Sequence, residues 1–190
     1  MKSTLLASVL TVAFASSGWA LDNHSSMQGF VDTTMSVWVQ APEVLSAIRA
    51  QNAETAGYDA ARIDDLDQQW RAEVGTASAP LVDAIVGNAA SDFLRQQAAE
   101  TGGLVTEVFV MDAQGLNVAS SGYTSDYWQG DEAKFSETYG QGAGALHFGD
   151  VEFDESSQTY QAQISMTIVD PETGAPIGAM TVGVDAEAFM

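Results

Sequence analysis

The spacing of apolar residues along the chain changes near residue 105. From His24 to about Glu100 they recur at helical intervals, as in the stripe Met27, Val31, Met35 and Trp38. From Val105 onward the period is two, and it is clearest over 160–169, where apolar and polar residues alternate strictly. Helices followed by antiparallel strands indicate an α+β fold.

Four helical segments are predicted in the first half. The first carries the Met27 to Trp38 stripe, and a second begins at Pro42, since proline is tolerated in a first helical turn. A short helix covers Ile63 to Trp70. Ser78-Ala79-Pro80 is a start signal for a last helix, which we expect to continue without a break to Gly102-Gly103.

Five strands are predicted in the second half, over 105–112, 117–121, 145–154, 160–169 and 177–185. The segment between the second and third strands, 122–144, is polar, aromatic and punctuated by glycine, which favours loops and short helices. The simplest packing is a five-stranded antiparallel sheet, with an N-terminal helix on one face and this central segment on the other.

The N-terminus has the pattern of a cleaved signal peptide. Lys2 precedes the apolar run 5–15, and Gly18 and Ala20 stand at the −3 and −1 positions of a cleavage site. The run is too short to span a bilayer comfortably, although an uncleaved anchor is the alternative. The chain has no cysteine, which excludes disulfides, thiolate metal sites and a lipoprotein anchor. We expect residues 1–20 to be removed and the protein to be periplasmic.

The charge of the chain excludes one class of partner. Aspartate and glutamate number 26 against 6 lysines and arginines, for a net charge of −20. Such a surface repels phosphate backbones and anionic lipid, so we expect no binding to nucleic acid. With 46% hydrophobic residues the chain is nevertheless that of a globular protein rather than an acidic tail.

Three segments together resemble the Cache domain, the extracellular PAS-like module of bacterial receptors. They are Val108–Ala119 with its Asp112-Ala113-Gln114-Gly115 turn, Thr124–Glu132, and Ile177–Asp185. The resemblance covers roughly Asp64 to Phe189, so we divide the chain into a signal peptide (1–20), an N-terminal helical region (21–62) and a Cache-like sensor domain (63–190). It implies a PAS-like sheet and a small ligand such as an amino acid, carboxylate or amine.

The resemblance also indicates which residues contact the ligand. In a PAS-like fold the central segment covers one sheet face, and an acidic residue late in the last strand binds the ligand's amine. The candidate ligand-binding residues are therefore Tyr123, Asp126, Tyr127, Trp128, Asp131, Lys134 and Asp185. Amino-acid-binding relatives often place a carboxylate-binding arginine where this chain has Asp126, which favours a cationic or zwitterionic ligand. The alternatives are a core role for Trp128, a helix cap for Asp126 and a surface ion pair for Lys134.

No catalytic motif is present in the sequence. It lacks G-x-S-x-G, H-E-x-x-H and a P-loop, so we expect neither an enzyme nor a cofactor. Asp150, Glu152 and Asp154 alternate along a strand and could hold Ca²⁺, although an exposed acidic face is the more common outcome.

Two hypotheses of function stay open. In the first, the protein is a periplasmic ligand-binding sensor; because no receptor region follows the last strand, we expect the signal to pass to a separate membrane partner. In the second, it is a scaffold that binds no ligand and docks on a membrane receptor. In the family the long N-terminal helix commonly forms a dimer seam, so a homodimer is expected under either hypothesis.

Overall fold

The computed structural model describes residues 17–154 and 159–189, and the side chains of 24–153 and 160–189. Residues 1–16 of the predicted signal peptide lie outside this part. None of the helices it contains is both long enough and apolar enough to cross a membrane.

The helices of the first half follow one another with short breaks. Helix α1 continues through a π-helical segment, Val31–Met35, into α2. Pro42 and Pro80 stand in the first turns of α3 and α5, as predicted. The helices are α1 (Ser17–Phe30), α2 (Ser36–Trp38), α3 (Pro42–Thr55), α4 (Ala60–Glu73), α5 (Pro80–Val86) and α6 (Ala89–Glu100).

The prediction of one helix from Pro80 to Gly102 was wrong, because the chain breaks at Gly87-Asn88. The Asn88 side chain accepts a hydrogen bond from Ser91 N at 2.9 Å and so caps α6. Its Nδ2 donates to Val118 O at 2.9 Å, which ties the break to the sheet. Asparagine at this position favours a new helix start over continuation of α5.

The strands in the described part of the chain form one sheet, and all of its strand pairs are antiparallel. The order is β2-β1-β6-β5-β3, with β4 also paired to β5. The strands are β1 (Val105–Met111), β2 (Asn117–Ser120), β3 (Leu146–Phe148), β4 (Glu152–Asp154), β5 (Thr159–Val169) and β6 (Pro176–Asp185). The α+β class is confirmed.

The sheet has six strands rather than five because the predicted strand 145–154 is divided into β3 and β4. Phe148 is opposite Ile164 and Glu152 is opposite Gln161, so the stretch 149–151 has one residue more than the facing part of β5. The extra residue interrupts the ladder, as in a bulge.

The two faces of the sheet are covered as predicted. Ala162, Ile164, Met180 and Val182 lie on the face that packs against α1, α2, α3 and α6 in the main core. On the other face, helix α7 (Ala133–Ser136) lies over the sheet, with Phe135 packed against Phe109, Met111 and Ala179. We call this second side the outer face.

The β1–β2 hairpin is held by a buried carboxylate. Asp112 Oδ1 accepts the backbone N–H groups of Gln114 and Leu116 at 2.8 and 3.0 Å. Asp112 Oδ2 accepts the Thr55 hydroxyl at 2.8 Å, which joins the turn to α3. Gly115 provides the positive φ of 81° that the turn needs. The turn predicted from the sequence is therefore also a tertiary anchor.

Candidate ligand-binding site

Strand pairing brings the residues of the outer face into rows across the sheet. One row joins Glu107, Gly183 and Gln163, and the next joins Phe109, Thr181, Ser165 and His147. Residues directly opposite one another in antiparallel strands point to the same face. Side chains far apart in sequence therefore form one polar surface.

A cleft of about 540 Å³ lies between this surface and α7. Its lining residues come from β1, α7, the β3–β4 segment and β5: Glu107, Glu132, Ala133, Lys134, His147, Gly149, Asp150, Glu152, Phe153, Gln161 and Gln163. Size and lining suit a small polar molecule.

Glu107 lies across the floor of the cleft. Gln163 Nε2 donates to Glu107 Oε1 at 3.0 Å. The side chain reaches over β6 at Gly183, where an added Cβ would lie 2.6 Å from Glu107 Cγ and 2.8 Å from Thr106 Oγ1. The glycine therefore leaves the space that the carboxylate needs to meet Gln163.

The charges of the cleft are mainly negative. Glu107, Glu132, Asp150 and Glu152 line it, against Lys134 and the imidazole of His147. Lys134 is already paired, since its Nζ lies 2.8 Å from Glu132 Oε2. An uncompensated group of carboxylates attracts a cation.

The described side chains include no group of three or more histidines, aspartates or glutamates that could hold a metal ion. The Ca²⁺ hypothesis for Asp150, Glu152 and Asp154 stays untested, because the Asp154 side chain lies outside that part.

Of the seven predicted ligand-binding residues, only Lys134 lines the cleft. Its Nζ is 3.3 Å from Gln129 Oε1 and 5.4 Å from the centre of the Phe109 ring. Asp185 lies beside the cleft, opposite Gln161 in the strand register, and accepts a hydrogen bond from Glu187 N at 2.9 Å. Tyr123 and Asp131 are exposed on the central segment.

Asp126 and Tyr127 contact helix α4 instead. Asp126 Oδ1 lies 3.0 Å from Arg71 Nε, and Arg71 also pairs with the buried Asp67. The Tyr127 ring stacks on Trp70 with centroids 5.5 Å apart. Burial, with a smaller contribution from the charge of Asp112, raises the pKa of Tyr127 well above 10. These contacts fix the central segment to α4.

Trp128 packs over the hairpin turn rather than in the cleft. Its Nε1 donates to Gln114 O at 2.9 Å, and a Cβ at Gly130 would lie 2.4 Å from that nitrogen. Asp67 Oδ1 accepts the backbone N–H groups of Tyr127 and Trp128 at 2.9 and 3.0 Å. The structure thus does not bring these two rings together with Lys134 in one cavity.

Four residues that line the cleft were not predicted as site residues from the sequence: Glu107, His147, Gln161 and Gln163. Alternation along β5 already placed Gln161 and Gln163 on the polar face of the sheet. Glu107 is the only charged residue within β1. A charged residue in a mainly apolar strand was therefore the available signal for Glu107.

No protein-family model matches the sequence, and no curated protein matches it either. Similar solved structures include the V. cholerae histidine kinase DctB sensor domain, at 13% identity and a TM-score of 0.48, covering 90% of this chain and 58% of that chain. The sensory domain of the Campylobacter jejuni chemoreceptor Tlp3 with isoleucine bound has 15% identity, a TM-score of 0.44, and coverage of 90% and 58%. The ligand-binding domain of the Pseudomonas aeruginosa amino acid chemoreceptor PctC in complex with GABA has 11% identity, a TM-score of 0.43, and coverage of 90% and 59%.

These three structures are sensor and ligand-binding domains of other proteins. This chain spans less than two thirds of the length of each.

Proposed function

We propose that this protein is a periplasmic sensor-type domain that binds a small cationic or zwitterionic metabolite and signals through a separate membrane partner. The acidic cleft on the outer face carries the proposal, and Glu107 is its central carboxylate. Under this proposal residues 63–190 are the sensor domain and 21–62 the N-terminal helical region. Residues 1–20 are the export signal, and the domain carries out no catalysis.

The preference for a cation follows from the balance of charges. Four acidic residues line the cleft, while the single lysine among its lining residues is paired with Glu132. The net charge of −20 adds a negative field over the whole surface.

A zwitterion fits the same cleft if Lys134 exchanges partners. Its side chain is 14% exposed, and the paired Glu132 carboxylate is at the cleft wall. A ligand carboxylate would replace Glu132 as the partner of Nζ, while the ligand's ammonium group contacts Glu107. This arrangement uses the only predicted ligand-binding residue that lines the cleft.

Calorimetry with matched amine and carboxylate ligands tests this proposal. Wild type should bind the amine more tightly, and Glu107→Gln should weaken amine binding by about tenfold, the loss of one charge-assisted hydrogen bond. Asp126→Asn is the matched control, because Asp126 is paired with Arg71 outside the cleft. Tighter binding of the carboxylate, or amine binding that is lost in Asp126→Asn and kept in Glu107→Gln, would contradict the cleft as the site.

The scaffold hypothesis is the second candidate, and two observations favour it. Phe135 and Tyr139 stack over part of the outer face, which suggests a pocket filled by its own side chains. Val151, Phe153 and Tyr160 are each 48% exposed near the cleft and offer an apolar contact surface. A broad metabolite panel that leaves the thermal midpoint of wild type unchanged would favour this candidate.

A further inference from the structure

The covered part of the outer face has a polar floor. Ser165, Thr167 and Thr181 lie there, with exposed fractions of 0, 4 and 0%. Ser165 Oγ and Thr181 Oγ1 lie 2.9 Å apart and satisfy each other. Thr167 Oγ1 is buried without a hydrogen-bond partner among the described residues. Buried hydroxyls are ordinarily paired, so this one calls for an explanation.

The groups above this floor are aromatic. Thr167 is opposite Ala179, and Ala179 packs with Phe135 and the partly buried Tyr139. The two rings stack with centroids 5.1 Å apart, and the 3₁₀ turn Tyr139–Gln141 lies against β5 and β6. An apolar cover cannot satisfy a hydroxyl, so the floor and its cover are chemically mismatched.

We define α7 together with the turn Tyr139–Gln141 as the lid. Directly after it, Gly142 and Gly144 have φ values of 95° and 80°, and nothing lies within 4 Å of a Cβ at either position. Glycine has more accessible backbone conformations than any other residue, and the space around these two is open. The chain can therefore bend here without displacing a packed group.

We infer that the lid is movable, and that the ligand of the cleft extends beneath it to bind the Thr167 hydroxyl. The ligand is then a linear amine with a second hydrogen-bonding group, a hydroxyl or another amine, at its far end. The rows of Glu107 and Thr167 are four residues apart along β5, about 13 Å in an extended strand. The ligand chemistry rests on the proposed function, whereas the movement of the lid does not.

Thiol labelling tests the lid without a ligand, since the chain has no cysteine of its own. Thr167→Cys places a thiol under the lid, and Ala162→Cys places one on the helix-covered face of the same strand, at a residue only 1% exposed. With a small uncharged reagent, the thiol introduced by Thr167→Cys should react at least tenfold faster after correction for the measured unfolding free energies. Equal corrected rates would show that both sites open only by global unfolding, and the movable lid would be discarded.

The ligand chemistry is tested with a series of linear α,ω-diamines, each paired with the n-alkylamine of the same length. Wild type should prefer the longer diamines, and Thr167→Val should lose about three- to tenfold of this preference, the contribution of one hydrogen bond. Thr167→Val should not lower the thermal midpoint, because the hydroxyl it removes has no partner, whereas Thr181→Val should lower it. A diamine preference that survives in Thr167→Val overturns the inference. Failure of every amine and every amino acid to bind wild type would instead contradict the proposed function.

Discussion

An added side chain at position 183 would lie 2.6 Å from Glu107 Cγ, in the space that the acidic residue crosses to reach Gln163. The absence of a side chain at Gly183 therefore determines where the Glu107 carboxylate lies in the candidate site. This arrangement depends on three strands at once, since Glu107, Gly183 and Gln163 belong to β1, β6 and β5. A change at Gly183 can therefore alter the cleft without altering its charge.

Gly183→Ala should weaken amine binding by about tenfold, because it displaces the Glu107 carboxylate and breaks a charge-assisted hydrogen bond. The free energy of unfolding should also fall, because the added Cβ would lie 2.8 Å from Thr106 Oγ1 as well as 2.6 Å from Glu107 Cγ, and neither atom is the free end of a flexible side chain. Calorimetry and thermal unfolding measure the two quantities. Gly29→Ala is the control, because nothing lies within 4 Å of a Cβ there. Unchanged affinity in a folded Gly183→Ala protein would contradict the role of Glu107.

The variant Trp128→Ala distinguishes ligand binding in the cleft from ligand binding at the site predicted from sequence, which includes Trp128. Loss of the ring and of its hydrogen bond to Gln114 O should lower the free energy of unfolding by about 3 kcal/mol. If the ligand binds in the cleft, the folded variant should still bind amines. Denaturant unfolding and calorimetry on the same preparation check both. Loss of binding in fully folded protein would instead support the sequence-based hypothesis that Trp128 forms a wall of the site.

Among the elements, α3 is tied to the turn between β5 and β6 by an ion pair. Arg49 Nε and Nη2 donate to the two carboxylate oxygens of Asp170 at 3.0 and 2.8 Å. This hydrogen bonding from Arg49, supported by the Glu172 N–H, holds the pKa of Asp170 below its ordinary value of 3.8. The folded state therefore binds a proton at Asp170 less readily than the unfolded state does.

Because the pKa of Asp170 is lower in the folded state than in the unfolded state, the free energy of unfolding decreases as the pH falls. The contribution of Asp170 is fully present above the unfolded value of 3.8 and is lost as the pH falls through the lower folded value. Arg49→Gln should therefore reduce stability at pH 7 and flatten its decline below about pH 4. Urea unfolding of both proteins from pH 7 to pH 2 measures this. Parallel curves for the two proteins would show that the pair makes no pH-dependent contribution.

Some elements could be predicted from local sequence, and others could not. Pro42 and Pro80 marked helix starts, and the Asp112–Gly115 turn marked a hairpin, because proline, aspartate and glycine act within a few residues. The break at Asn88 was missed because its role depends partly on a contact with Val118 in the sheet. The division of 145–154 depends on a register with β5 that no local pattern contains.

The site was harder to predict than the fold for the same reason. Alternation indicates that Glu107 and Gln163 each point to the polar face, but not that β6 lies between them with a glycine at the crossing. Tyr127 and Trp128 were predicted to contact the ligand because aromatic residues next to carboxylates suit a cation. Their partners, Trp70 and Gln114, could be identified only once α4 and the hairpin were in place.

The whole molecule carries a strong negative charge, and varying the ionic strength tests whether this charge contributes to amine binding. Amine affinity should fall as salt rises, because the Debye length shortens from about 10 Å at 0.1 M to about 3 Å at 1 M. Calorimetry of one amine across this range measures the slope. Glu107→Gln should show a shallower slope than wild type. Affinity that does not depend on salt would indicate binding without a contribution from the acidic surface.

The predicted compartment is tested by the N-terminus of the protein purified from a bacterial periplasm. Cleavage after Ala20 should leave Leu21 as the first residue, which intact mass analysis detects. Recovery of the full chain beginning at Met1 in the membrane fraction would contradict the export of a cleaved form.

The central claim is that the acidic cleft binds a small cationic or zwitterionic ligand, and thermal unfolding of the wild type against matched amines, amino acids and carboxylates tests it most directly. A ligand present at a hundred times its Kd should add about 2.7 kcal/mol of apparent stability. We expect at least one amine or amino acid to raise the midpoint, with no comparable rise from a carboxylate that lacks an amine. A rise with such carboxylates alone, or with no compound at all, would contradict the claim.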